Sequence, residues 1–149
     1  MAQINGEVLI RRPAEEVFDF VADERNESMY NPAMVDVEKI TEGPIGLGTR
    51  FAATMITNRR PLRIEIEYTG FDRPRSLTSM SCMAAADFAG TLTVTPEADG
   101  THLRWSWQMR PKGALRLLAP LLEPVGARRE RAVWARLRDF LEAGGAELR

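Results

Sequence analysis

Between Thr101 and Met109 every second residue is large and apolar: Leu103, Trp105, Trp107 and Met109 alternate with His102, Arg104, Ser106 and Gln108. Side chains alternate across a strand, so this run puts two indoles and two aliphatic chains on one face of a sheet. A face that bulky needs cover. The only long amphipathic stretch able to supply it is the last third of the chain. The run therefore restricts the fold to an α+β arrangement in which a C-terminal helix closes over a sheet, a geometry that can enclose a cavity.

The other strands fit that arrangement. Ile4, Gly6, Val8 and Ile10 alternate with polar residues in a first strand. Pro13 suits a first helical position, Glu15 and Glu16 suit the first turn, and Ala14, Val17, Phe18 and Val21 follow at helical spacing, which predicts a helix from Pro13 to Ala22. A second short helix is expected over Asp23 to Tyr30, ended by Asn31-Pro32. Strands follow near Met34 to Ile40 and through Phe51, Ala53 and Met55. Leu62, Ile64, Ile66 and Tyr68 alternate with Arg63, Glu65, Glu67 and Thr69, the cleanest period-two signal in the chain. Ser76 to Met83 is a weaker strand whose facing the pattern leaves open. Phe88, Gly90, Leu92 and Val94 share a face of the next one. Short strands and tight turns predict an antiparallel meander.

Ala114 to Ala143 is helical in composition. Leu117, Leu118, Leu121, Leu122 and Val125 centre on one direction of its wheel, whereas Val133, Leu137, Phe140 and Leu141 centre on another, roughly 100° away. With Pro120, Pro124 and Gly126 near the change, the expectation is a kinked or interrupted helix with one part over each end of the sheet.

Composition narrows the function. The 149 residues are the length of one domain, expected to span 1–149, with enough chain for a proper core. Lys and Arg number 20 against 21 Asp and Glu, which argues against a nucleic-acid partner. Cys82 is the only cysteine, so no intrachain disulfide forms, in keeping with a cytoplasmic setting. The N-terminus lacks the pattern of a signal peptide, and no apolar run is long enough for stable membrane insertion. His102 alternates with Leu103 and Trp105 and should point away from the covered face. Without paired histidines no metal and no cofactor is expected. Arg116, Arg128, Arg131, Arg136 and Arg138 make the last helix basic on its outer side, a solvated face or a surface for anionic membrane or acidic protein. A homodimer stays open.

Several motifs occur in order: Val8-Leu9-Ile10 with Arg12-Pro13-Ala14-Glu15-Glu16-Val17-Phe18, Tyr30-Asn31-Pro32, Gly46-Leu47-Gly48-Thr49-Arg50-Phe51, Asp99-Gly100-Thr101, and Leu137 with Phe140-Leu141-Glu142. Together they resemble the START-like, helix-grip (SRPBCC) superfamily, in particular its polyketide cyclase/dehydrase and lipid-transport branch. Many relatives carry a tryptophan where this chain has Tyr30; a phenol keeps a face for stacking. The resemblance implies a curved antiparallel sheet of about seven strands wrapped around a long C-terminal helix, with two short helices after the first strand and a deep pocket between sheet and helix. It leaves the reaction open, since fold does not decide chemistry.

On this reading the chain binds a hydrophobic, lipid-like or aromatic small molecule. Phe51, Met55, Ile64, Ile66, Tyr68, Phe88, Leu92, Trp105 and Trp107 would line the sheet side, Tyr30 the mouth, and Leu118, Leu121, Leu122 and Val125 the lid. The alternative is a cyclase or dehydratase using the same cavity, with Tyr68, Tyr30 or Glu130 as acid or base. Tyr68 needs a hydrogen-bond partner, whether ligand, backbone carbonyl or water. Glu130 falls on an apolar helix face, which asks for a salt bridge to Arg129 or a strand arginine, or else marks a site.

Overall fold

The alternating runs all join one sheet. A computed structural model describes residues 2–145. Strand β1 (Ala2–Ile10) leads into helix α1 (Ala14–Ala22) and a 3-10 turn (Glu24–Met29). Strands β2 (Met34–Lys39), β3 (Arg50–Thr57), β4 (Arg60–Asp72), β5 (Ser76–Cys82), β6 (Ala86–Glu97) and β7 (Gly100–Pro111) follow, then a second 3-10 segment (Gly113–Leu118) and helix α2 (Ala119–Glu142). The sheet has seven strands in the order β1-β7-β6-β5-β4-β3-β2, and every neighbouring pair is antiparallel. β2 to β7 is the expected meander. The first strand closes on the last, so α1 and the first 3-10 turn must carry the chain from one sheet edge to the other.

The register explains how the sheet holds its indoles. Trp105 stands opposite Gly6 of β1, and Trp107 opposite Gly90 of β6. A Cβ on Gly6 would lie 2.2 Å from the Trp105 ring, and one on Gly90 would lie 2.6 Å from the Trp107 ring. Each tryptophan thus lies over a residue without a side chain. Gly6→Ala should cost about 1–3 kcal/mol through overpacking, since the obstacle is a buried ring rather than a mobile chain end. Urea melts of the two proteins check this; an unchanged midpoint would mean that the indole is free to move aside.

The main core gathers Phe18 and Val21 of α1, Phe51 of β3, Ile64, Ile66 and Tyr68 of β4, Leu92 of β6, Leu103 and Trp105 of β7, and Trp134, Leu137 and Leu141 of α2. A smaller cluster joins Ala2, Ile4, Ala86 and Met109, with Phe88 and Leu122 against it, and Trp107 touches both. β5, whose facing the sequence left open, turns Leu77, Ser79 and Ser81 inward, opposite Phe71, Tyr68 and Ile66 of β4 and Leu92, Gly90 and Phe88 of β6.

The closing helix departs from expectation. It stays helical through Pro124, and the change of helix type falls earlier, between Leu118 and Ala119. A helix continuous through the prolines can present only one of its two apolar faces to the sheet. The face chosen is that of Trp134, Leu137 and Leu141, which are buried, while Leu118, Leu121 and Val125 stand exposed. Of the four residues expected as the lid, only Leu122 is covered, half-buried against Ile4.

Candidate functional site

The 3-10 turn after α1 sets the site. Residues three apart eclipse one another in a 3-10 helix, so Glu24, Glu27 and Tyr30 project in one direction. Asp23 caps the turn by accepting from the Arg25 amide at 3.1 Å. At the other end the Tyr30 and Asn31 amides both donate to the Glu27 carbonyl, at 3.1 and 2.8 Å. Asn31 also holds the Glu27 side chain, its Nδ2 donating to Oε2 at 3.1 Å.

Tyr68 meets this turn from β4. Its backbone is fixed by the loop before β3: Gly48 donates to the Tyr68 carbonyl at 2.8 Å, and Tyr68 donates to the Thr49 carbonyl at 2.9 Å. Its hydroxyl donates to the Ala22 carbonyl at 2.5 Å and lies 3.2 Å from Oε1 of Glu24. A phenol has one proton to give. The Ala22 carbonyl and Oε1 of Glu24 compete for that proton, and both accept from the hydroxyl.

α2 brings Glu130 and Trp134. Oε2 of Glu130 accepts from Nε1 of Trp134 at 2.7 Å and from Nε1 of Trp107 at 3.2 Å. The partner expected from the sequence was an arginine; two indoles take that place, and Arg129 acts only through its charge. Trp134 stacks on Trp105 with centroids 5.6 Å apart, and its ring lies 6.1 Å from that of Tyr30, which also packs on Phe20. Tyr30 is therefore enclosed between Phe20 and Trp134 rather than placed at a mouth. Nε1 of Trp105 is buried with no hydrogen-bond partner among the described residues.

Three carboxyls and two phenols thus share one aromatic interior, and their acidities shift accordingly. Burial, then the neighbouring Glu27, push Glu24 well above the usual carboxylate range. Burial also raises Glu27, to about 7, against the opposing hydrogen bonds from Glu24 and Asn31 and with help from the Glu130 charge. Glu24 is accordingly the proton donor of the pair and Glu27 the acceptor. Glu130 is raised by burial and partly held down by the two indole N–H groups. Tyr30 and Tyr68 both rise well above the ordinary phenol value, through burial and then the nearby carboxyls. The arrangement can hold or pass a proton and can offer hydrogen bonds to a guest. Among the described residues no set of three or more His, Cys, Asp and Glu is placed to hold a metal ion.

The structure brings Tyr30, Tyr68 and Glu130 into one neighbourhood. Phe51, Ile64, Ile66, Leu92 and Trp105 are buried, while Met55, Phe88 and Trp107 face inward and stay half-buried. Ser79 and Ser81 also face inward and keep accessible surface at the sheet centre. His102 lies on the outer face between Glu7 and Glu97. Sequence reasoning missed Glu24 and Glu27; the signal was there as an acid–acid–tyrosine spacing of three in a segment too short for a stable α-helix. Two defined depressions lie elsewhere. One, of about 460 Å³, runs between β1 and α2 beside Gln3, Asn5 and Pro124, and the other, of about 340 Å³, lies over Gly6, Thr91 and Ser106.

An antiparallel sheet gripping a long C-terminal helix, with a carboxyl and aromatic cluster inside the grip, defines a helix-grip α+β protein. The family model for polyketide cyclase/dehydrase and lipid transport matches residues 1–142, and the chain belongs to that family. Solved structures repeat the fold. The protein TTHA0849 from Thermus thermophilus is 18% identical with a TM-score of 0.80, covering 95% of this chain and 98% of its own. DR_A0006 from Deinococcus radiodurans is 16% identical with a TM-score of 0.69, over 97% and 99%. The di-domain ARO/CYC StfQ of the steffimycin biosynthetic pathway is 11% identical with a TM-score of 0.78, over 97% of this chain and 52% of StfQ. No curated protein matches the chain in sequence. No helix among the described residues is long and apolar enough to cross a membrane.

Proposed function

We propose that the chain binds a hydrophobic small molecule, lipid-like or aromatic, between the inner face of the sheet and α2, with the guest's polar end turned toward Glu24, Glu27, Tyr30 and Glu130. The observation that carries this is the collection of titratable groups inside an otherwise apolar interior. Burying such groups costs stability unless something is gained, and here they gather at one place beside the indoles. The half-buried inward residues Met55, Phe88, Trp107, Ser79 and Ser81 support it, since the middle strands keep accessible surface where a solid core would leave none. Methionine adapts to variable guests.

Trp107 touches both core clusters, is half-buried, and donates to Glu130. Trp107→Ala should therefore weaken binding of a neutral apolar probe, N-phenylnaphthylamine, about tenfold or more, beyond any loss of folded protein. Fluorescence titration measures it, and equal probe binding by the folded variant sinks the assignment. Native mass spectrometry of the purified protein, searched for a co-purifying molecule, identifies the guest.

A second reading, a cyclase or dehydratase, draws on Glu27: a carboxyl near neutrality is suited to move a proton at physiological pH. StfQ, an ARO/CYC protein, has the same fold. Of the candidate acid/base groups, Glu130 and Glu27 suit this better than Tyr68, whose proton is held by the Ala22 carbonyl and Glu24. Product formation from polyketide-like substrates decides between the readings.

A further inference from the structure

The apolar face that α2 turns away from the sheet is left standing in solvent. Leu117 is 85% exposed, Leu121 68% and Val125 60%, and Leu115 and Leu118 beside them are also exposed. They straddle the junction of the second 3-10 segment with α2. At about 100° per residue, Leu121 and Val125 share a sector of α2 with Arg128, Arg129 and Arg136 farther along, all three exposed. Arg116 stands next to Leu117 and, among the described residues, bonds only the Gly113 carbonyl. None of these four arginines has a salt bridge among the described residues. The nearby acids are engaged: Glu123 accepts from the Gln3 amide, and Asp139 pairs with Arg138.

The geometry points to a docking surface for an anionic lipid bilayer. Leu117, Leu118, Leu121 and Val125 enter the acyl boundary, and Arg116, Arg128, Arg129 and Arg136 meet lipid phosphates. An apolar stretch continued by cationic residues on one helix face is the chemistry of interfacial binding. Charge complementarity selects this occupant. A second copy packed through a two-fold axis would bring the same arginines to both sides of the seam, where the nearby acids are already engaged. An acidic polypeptide would need a groove for its side chains, and the leucines project from a corner. A fluid apolar phase accepts projecting side chains and pairs with every arginine at once. Since α2 cannot span a membrane, the attachment is peripheral. It does not depend on the interior binding a guest.

The test is co-sedimentation of the full chain with phosphatidylcholine vesicles, with and without phosphatidylserine. The protein should pellet with the anionic vesicles and stay in solution with the neutral ones. Leu117→Ser with Leu121→Ser should weaken binding at least about tenfold, and Arg128→Gln with Arg136→Gln about twenty-five-fold, at about fivefold for each charge. Met80→Ser, exposed on β5, should change nothing. All the altered side chains are exposed, so circular dichroism should report folded proteins. Equal pelleting with both vesicle types, retention by either double variant, or binding to polyglutamate and not to vesicles overturns the proposal. So does a dimer in light scattering that Leu117→Ser dissolves.

Discussion

Truncating Trp134 to alanine should destabilise the fold by about 3–5 kcal/mol, the range for removing a large buried aromatic side chain. Its ring fills the space between Trp105 and Tyr30, at centroid distances of 5.6 and 6.1 Å, and it is the largest of the three big side chains that α2 buries, Trp134, Leu137 and Leu141. The loss has two parts, which Trp134→Phe separates. Phenylalanine keeps a six-membered ring in the same space and loses one ring of the indole together with the N–H that reaches Glu130 at 2.7 Å. A hydrogen bond to a charged group is worth about 1.5–3 kcal/mol. Glu130 limits that loss, because burial already favours its protonated form and it retains the Trp107 donor. Urea melts at neutral pH should therefore order the proteins wild type, Phe, Ala, with the larger gap before Ala. Equal stability of the two variants would show that the indole N–H, and not the ring, holds α2 to the sheet.

The helix and the sheet were legible to different degrees. Period-two alternation identified β4 and β7 because large apolar residues face one way and charges the other, and the two indoles announced the face that needs cover. β5 escaped because its inward residues Ser79 and Ser81 are small and polar, so alternation carries no contrast there. The wheel of α2 gave both apolar directions correctly but not which one meets the sheet. That choice is tertiary: Trp134 and Leu137 have Trp105, Tyr30 and the sheet to pack on, and the leucines around residue 121 have only the β1 edge. Tyr68 and Glu130 stood out as polar groups on apolar faces. Glu24 and Glu27 did not, since acidic residues in a short polar segment read as surface until the 3-10 turn aims them inward.

That inward aim has a consequence for stability against pH. A carboxyl whose value is raised on folding favours the folded state in its protonated form, so the stability it supports is complete below its unfolded value and lost as pH rises through the folded one. For Glu27 the window runs from the ordinary 4.5 to about 7. At about 1.4 kcal/mol per pH unit, that lift corresponds to about 3 kcal/mol. Glu24 and Glu130 shift in the same direction and extend the decline. The protein should be most stable under mildly acidic conditions and weaken toward alkaline pH. Glu27→Gln removes the titration while keeping an oxygen that accepts from Asn31 and from protonated Glu24. It should match the wild type below about pH 4.5 and exceed it by about 2–3 kcal/mol at about pH 8. Urea denaturation at the two pH values measures both limits. A variant weaker than wild type at alkaline pH would mean that Glu27 is stabilised as an anion, and the account of a proton-sharing carboxyl pair inside the grip would fail.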